Sequence, residues 1–307
     1  MRVLITGSTG LVGTALVRSL TRSGDRMIVL VRGPTPDTPN ITRIQWDAFA
    51  DTLDLSAAGS IDAVVHLAGA SIAGKRWSPE YKALIRDSRV LGTKLLSRTI
   101  AALDPKPPVL VMASAMGYYG DRGEEVLTEE SPPGQGFLSE LCVEWERAAD
   151  AARDAGIRVA ALRFGNILAR DGGMLKRLGL VFKTGFGGRL GSGEQWWPWI
   201  AVEDVARVIR LAINEPGMVG PVNTVAPGIT RQADFAKDLA RTLRRPAIVP
   251  APAWAVRLVL GELADDVLAS KRMAPKVLKE RGFEWRGPDL PTVFEHVFRA
   301  PAESEWR

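Results

Sequence analysis

The 307-residue chain has a single cysteine, Cys142, which excludes an intrachain disulfide and suits a reducing compartment. Its two histidines, His66 and His296, lie far apart, and no cysteine cluster accompanies them, so no metal site is expected. No uninterrupted apolar run approaches the length of a membrane span. The opening Met-Arg and short strand-like run lack the longer apolar segment and cleavage site of a signal peptide. There is no dense Lys/Arg tract, no internal repeat and no low-complexity linker. These absences set the expectation of a soluble cytoplasmic protein with neither a membrane nor a nucleic acid as partner. What is present is ordinary for a globular chain: 46% hydrophobic and 24% charged residues. The net charge of +5 fits a solvated basic face or an anionic ligand.

The first half alternates strand and helix signals. Short apolar runs at Val3–Thr6, Met27–Val31, Thr42–Trp46, Ala63–Leu67, Val109–Ala113 and Val159–Arg163 read as strands. Helical spacing marks Thr14–Ser23, which stops at Gly24. A long helix follows Ser78 and Pro79, a cap and first-turn pair, and another runs from Phe137 to Gly156. Such β-α-β alternation predicts an α/β fold, a doubly wound parallel-sheet Rossmann domain. After Asn166 the pattern changes: a glycine-rich stretch, then Trp196-Trp197-Pro198-Trp199, a helix at Asp204–Asn214, a strand at Val222–Val225 and a mostly helical tail. The expected division is residues 1–165 with about 200–226 as the dinucleotide-binding domain. Residues 166–199 with 227–307 form a smaller, mostly helical C-terminal substrate domain.

The most informative stretch is Gly7-Ser8-Thr9-Gly10-Leu11-Val12-Gly13. It lies between an apolar strand and an amphipathic helix, the context that gives a glycine triplet its meaning. Glycine permits the tight turn and close backbone approach to a pyrophosphate, and the helix N-terminus offers free N–H groups and a favourable dipole. An acidic residue at the end of the second strand would hold the ribose hydroxyls of NAD. Here that place is taken by Arg32, whose planar donor fork suits a 2′-phosphate, so NADP (NADPH) is the expected cofactor. Asp47, after the third strand, either meets the adenine amino group or caps its own loop.

Several motifs together resemble the extended short-chain dehydrogenase/reductases, in their atypical epimerase-family (YfcH-like) branch. They are the loop Thr6 to Gly13, His66-Leu67-Ala68-Gly69-Ala70, Ser114 with Tyr118-Tyr119-Gly120, Leu162-Arg163-Phe164-Gly165-Asn166, and Trp199 to Ala206. The tail adds Pro252-Ala253-Trp254-Ala255, Leu260-Gly261-Glu262 and Gly282-Phe283-Glu284-Trp285, which resemble the small C-terminal domain of unknown function in that branch. The resemblance implies cofactor contacts from Leu67, Ala68, Gly69, Ala70, Arg89, Ser114, Arg163 and Asn166, with Ser114 also orienting substrate. It further implies that two helices of such chains can pair into a homodimer; monomer is the alternative.

One departure limits what the resemblance carries. Where active members of that superfamily have a Tyr-x-x-x-Lys pair, this chain has Phe137 and Leu141. Neither can exchange a proton, so the usual acid/base machinery is missing. Tyr118 or Tyr119 could substitute, or both could simply pack. Lys75 and Arg76 lie on a loop after the fourth strand, at the crevice end of an open α/β sheet, where they either meet an anionic substrate or belong to a solvated loop. Phe137 and Trp197 are placed with them against the substrate, although two of the three nearby tryptophans are expected in the core. Two functions stay open: an NADP(H)-dependent oxidoreductase or epimerase acting on a small polar or sugar-like molecule, and a non-catalytic NADP(H)-binding sensor.

Overall fold

The structure, a computed structural model, describes residues 1–299 apart from Asp171 and Ile248. Strands β1 (Arg2–Thr6), β2 (Arg26–Val31), β3 (Ile41–Asp47), β4 (Thr52–Leu53), β5 (Ala63–His66) and β6 (Val109–Ala115) are joined by helices α1 (Leu11–Arg22) and α2 (Pro79–Ala101). There follow β7 (Val126–Leu127), α3 (Phe137–Arg147), α4 (Asp150–Asp154), β8 (Arg158–Phe164), β9 (Asn166–Leu168) and α5 (Gly173–Lys183). Next are β10 (Trp196–Trp197), β11 (Trp199–Ala201), α6 (Val202–Asn214), β12 (Gly220–Thr224), β13 (Thr230–Arg231) and α7 (Gln232–Leu243). The tail holds α8 (Ala253–Leu260), α9 (Leu263–Leu268), β14 (Arg272–Met273), α10 (Lys276–Glu280) and α11 (Leu290–Arg299).

An eight-stranded sheet runs β12-β8-β6-β5-β1-β2-β3-β4. β1 pairs in parallel with both β2 and β5, and β2–β3 and β5–β6 are parallel too. Chain order therefore reverses between β1 and β5, whose last residues, Thr6 and His66, are register partners. In open α/β sheets ligands bind at such a switch point, beyond the C-terminal strand ends. Val3, Leu4, Ile5, Val64, Val65, Leu110 and Val111 are all buried, as strands covered on both faces require.

The chain divides into two compact units, residues 1–114 with 140–162 and 206–221, and residues 115–139 with 163–205 and 222–307. The loop after β6, grouped with the first half in the sequence reading, packs in the second unit. It is anchored there by Tyr119 and Glu129, which bond to Asn223. The second unit has its own core, in which Phe182, Trp197, Trp199, Phe235, Leu239 and Phe294 interlock.

Two elements differ from expectation. The helix predicted from Phe137 to Gly156 breaks, because the Ala152 N–H turns to Ser97 Oγ at 2.8 Å and to Ala149 O instead of continuing the ladder. The glycine-rich stretch after Asn166 contains a helix, α5. Its core side is carried by Leu175, Leu178, Gly179 and Phe182, a helical spacing that the surrounding glycines obscure. Among the described residues no helix is long and apolar enough to cross a membrane.

Candidate functional site

The first unit builds a dinucleotide cradle at the switch point. Gly7 ends β1 with φ +70, and a Cβ there would stand 2.7 Å from the carbonyl carbon and oxygen of Leu67. A Cβ on Gly13 would fall 2.2 Å from Gly7 O, so α1 sits against the loop that precedes it as closely as backbone allows. Ser8 and Thr9 make the turn, closed by the Gly10 N–H to Gly7 O bond at 3.0 Å, and Leu11 and Val12 open α1. Gly10 caps α1 without a side-chain bond, and no acidic residue occupies the first turn. The helix start thus keeps its N–H groups and positive dipole end for an anion. This geometry fits the pyrophosphate of a dinucleotide.

The neighbouring loop is fixed from beneath. Thr6 Oγ1 accepts the N–H groups of Leu67 and Ala68, each at 3.1 Å, and meets His66 Nδ1 at 2.8 Å. With two donors already on the hydroxyl, its own hydrogen goes to Nδ1, and the imidazole proton sits on Nε2, which has no partner among the described residues. Burial, and next Arg89, push the His66 pKa down to about 4, so the ring is neutral. His66 is structural, a prop for the loop. Arg89 also works from below: its guanidinium donates to Ala70 O at 2.9 Å and Ile85 O at 3.0 Å, and lies over the Trp145 ring at 5.1 Å. A Cβ on Gly69 would come within 3.1 Å of that guanidinium.

Arg32 follows β2 directly, and its guanidinium has no hydrogen bond or ion pair among the described residues. Beside it opens a cleft of about 460 Å³ lined by Val31, Pro34, Thr35, Pro36, Arg43 and Gln45. Arg43, on β3, adds a second cation there. Asp47 Oδ1 accepts the Phe49 and Ala50 N–H groups at 2.8 and 3.2 Å, so this carboxylate caps its own loop. Lys75 and Arg76 are exposed on the loop between β5 and α2, where Trp77 Nε1 bonds Ile72 O at 2.8 Å.

Three expected catalytic side chains are placed differently from one another. Ser114 is 2% exposed, and its hydroxyl donates to Glu146 Oε1 on α3 at 2.6 Å. In the second unit Tyr119 is 0% exposed; its hydroxyl donates to Asn223 Oδ1 at 2.6 Å and accepts from Arg163 at 2.9 Å. Burial, the largest influence, raises its pKa to about 12. Both hydroxyls are engaged within the protein. Tyr118 is half-buried, and the Arg163 guanidinium lies 3.4 Å from its ring centre. The Arg163 guanidinium thus contacts both Tyr118 and Tyr119, and Asn166 Nδ2 donates to Pro198 O at 3.0 Å. Glu129, buried with its pKa raised by that burial, accepts the Asn223 and Val277 N–H groups through one oxygen, while Oε2 has no partner among the described residues. Nothing in the local sequence marks Glu129 or Asn223, since they meet across 94 residues.

Phe137 is half-buried at the start of α3, whereas Leu141 and Cys142 are buried. Trp197 is a core residue: it is buried, packs edge-on to Phe235 at 5.3 Å and donates Nε1 to Val267 O at 3.0 Å. Trp196 is the half-buried member of the trio, with the Arg231 guanidinium 3.9 Å from its ring centre. Among the described residues there is no cluster of His, Cys, Asp or Glu that could hold a metal.

Residues 3–224, the stretch from the cradle to the end of β12, match the NAD dependent epimerase/dehydratase family. The chain belongs to that family. Residues 251–297 match a domain of unknown function, DUF1731. Epimerase family protein Mb2239 of Mycobacterium bovis is 39% identical over 284 residues, covering 92% of this chain and 93% of its own. Epimerase family protein SH2119 of Staphylococcus haemolyticus is 39% identical over 300 residues, covering 97% and 99%. The crystal structure of human epimerase family protein SDR39U1 (isoform 2) with NADPH superposes with a TM-score of 0.88 at 33% identity, covering 97% of this chain and 99% of that one. An NAD(P)-binding Rossmann fold with a helical C-terminal region is thus the architecture of this family member.

Proposed function

We propose that this family member is an NADP(H)-dependent oxidoreductase or epimerase acting on a small polar or sugar-like substrate. The observation that carries the cofactor choice is Arg32: a guanidinium without a partner among the described residues, at the strand end where a 2′-phosphate would lie. The bound structural relative described above holds NADPH, which supports the same choice. When bound, the nicotinamide supplies or accepts hydride. The chain's own part is to seat the pyrophosphate on the N-terminus of α1 and to hold the 67–70 loop rigid through Thr6, His66 and Arg89.

Proton transfer falls to Tyr118. Tyr119 is engaged on both sides, whereas Tyr118 keeps part of its surface in solvent and is held from behind by Arg163. Ser114 and Tyr119 then act as positioning residues, the first on α3 through Glu146, the second on the Tyr118 loop. Lys75 and Arg76 are the cations offered to an anionic substrate. A cytoplasmic location goes with this reading. A second reading, a non-catalytic NADP(H) sensor, is favoured by Phe137 and Leu141, which leave the usual proton-exchange positions chemically silent.

Titration of the protein with NADPH and with NADH, followed by nicotinamide fluorescence, tests the cofactor assignment. NADPH is expected to bind more tightly, and Arg32→Ala should remove about tenfold or more of that preference, the worth of a charge-assisted hydrogen bond. Equal or tighter NADH binding overturns the assignment, and no binding of either overturns both readings. A substrate screen by NADPH absorbance then separates them: turnover that Tyr118→Phe abolishes supports the enzyme, and turnover indifferent to that change removes Tyr118 from the mechanism.

A further inference from the structure

Exposed apolar side chains are unevenly distributed over the second unit. Among the described residues eight of its large hydrophobic side chains are exposed: Val126, and then Leu180, Val181, Phe186, Val249, Trp254, Leu258 and Val259. The last seven lie on two stretches, 173–191 and 244–260, which are joined where residues 187–191 run beside 249–251. The Val249 N–H donates to Gly187 O at 3.3 Å, Ala251 N–H to Arg189 O at 2.9 Å, and Gly191 N–H to Ala251 O at 2.8 Å. Ala253, the first residue of α8, follows at once, and a Cβ on Gly191 would lie 4.0 Å from its own. On α8, Trp254 and Leu258 stand one turn apart, 69% and 66% exposed, while Val256 on the other side is buried. Phe186 and Val259 are 69% and 75% exposed. Soluble proteins seldom leave so many large apolar groups together without a use for them.

The charge on the same stretches is one-sided. They contain Lys176, Arg177, Lys183, Arg189, Arg244, Arg245 and Arg257, all exposed, and no Asp or Glu. Arg257 has a carboxylate neighbour, Asp265, at 3.1 Å, contributed from outside them. A second copy of this chain is a poor occupant, because an isologous contact would set one basic face against another. The occupant must be apolar where it meets Trp254, Leu258 and Phe186, and anionic around them. Lysine and arginine flanking exposed Trp, Phe and Leu is the composition of an interfacial membrane contact. We propose that this face docks on the surface of an anionic lipid bilayer. Trp254, Leu258, Val259 and Phe186 enter the headgroup boundary, and the basic residues meet lipid phosphates. Such a contact needs no spanning helix.

The test is sedimentation of the full chain with vesicles of phosphatidylcholine alone and of equal parts phosphatidylcholine and phosphatidylglycerol. Binding to the mixed vesicles only, weakened by added salt, is expected. Arg244→Gln with Arg245→Gln should weaken it about thirtyfold, at roughly fivefold per surface charge. Trp254→Ser with Leu258→Ser should reduce it to background while the nicotinamide titration stays unchanged. If the second variant loses its fold, the first decides alone. No sedimentation with either vesicle, equal sedimentation with both, or binding indifferent to the arginine pair would overturn the proposal. So would binding to polyglutamate with none to vesicles, which would assign the face to an acidic protein.

Discussion

Gly7 and Gly24 allow the cradle to be tested against a control within the same chain. Both have a left-handed backbone, φ +70 and +71, so replacing either by alanine incurs the same intrinsic cost, about 1–2 kcal/mol. At Gly24 nothing lies within 4 Å of the added carbon, and the cost stops there. At Gly7 that carbon stands 2.7 Å from Leu67 C and O and 2.8 Å from Ala68 N, all backbone atoms. Strand end and loop must part, which breaks the two N–H bonds that Thr6 Oγ1 accepts from Leu67 and Ala68. At about 1 kcal/mol each, these bring the expected loss for Gly7→Ala to about 3–4 kcal/mol. Urea unfolding of both variants gives the difference, and NADPH titration should show binding lost in Gly7→Ala and kept in Gly24→Ala. Equal midpoints would refute the close-approach argument. A destabilised Gly7→Ala that binds NADPH normally would refute the placement of the dinucleotide against this loop.

His66 supplies a pH dependence. Its folded pKa, about 4, lies below the ordinary 6.5, so its contribution to stability is complete above pH 6.5 and is lost as pH falls through 4, amounting to about 3 kcal/mol. Urea midpoints across that window should fall in the native chain and fall less in His66→Asn; parallel profiles would remove His66 as the cause. Ser114→Ala leaves Glu146 without its 2.6 Å donor and should lower stability by about 1–3 kcal/mol in chemical unfolding, with NADPH affinity retained. Loss of NADPH affinity without loss of stability would make Ser114 a direct contact. Trp197→Ala should cost about 3–5 kcal/mol and Trp196→Ala much less, since only the first is enclosed by the core. Equal thermal shifts would contradict that division.

The parts that the sequence determines alone are those whose physics is local. A glycine turn between an apolar strand and an amphipathic helix needs only neighbouring residues, so Gly7 to Gly13 could be read as a dinucleotide cradle. Arg32 could be read the same way, because strand length sets where the strand ends. The parallel sheet follows from alternation, and the Phe137/Leu141 departure from comparison with the family that the motifs resemble. Tertiary structure decided what each candidate hydroxyl does, since hydrogen-bond partners arrive from far along the chain. Tyr119 is enclosed by Asn223 and Arg163, and Ser114 is taken by Glu146. Tyr118 and Tyr119 are adjacent in sequence and chemically identical, yet only packing makes one a buried strut and leaves the other reachable. The tryptophan trio divides for the same reason: two indoles fill the second core and one lies between cations. The segments after α5 and before α8 also meet only in three dimensions, through the hydrogen bonds of Gly187, Arg189 and Gly191.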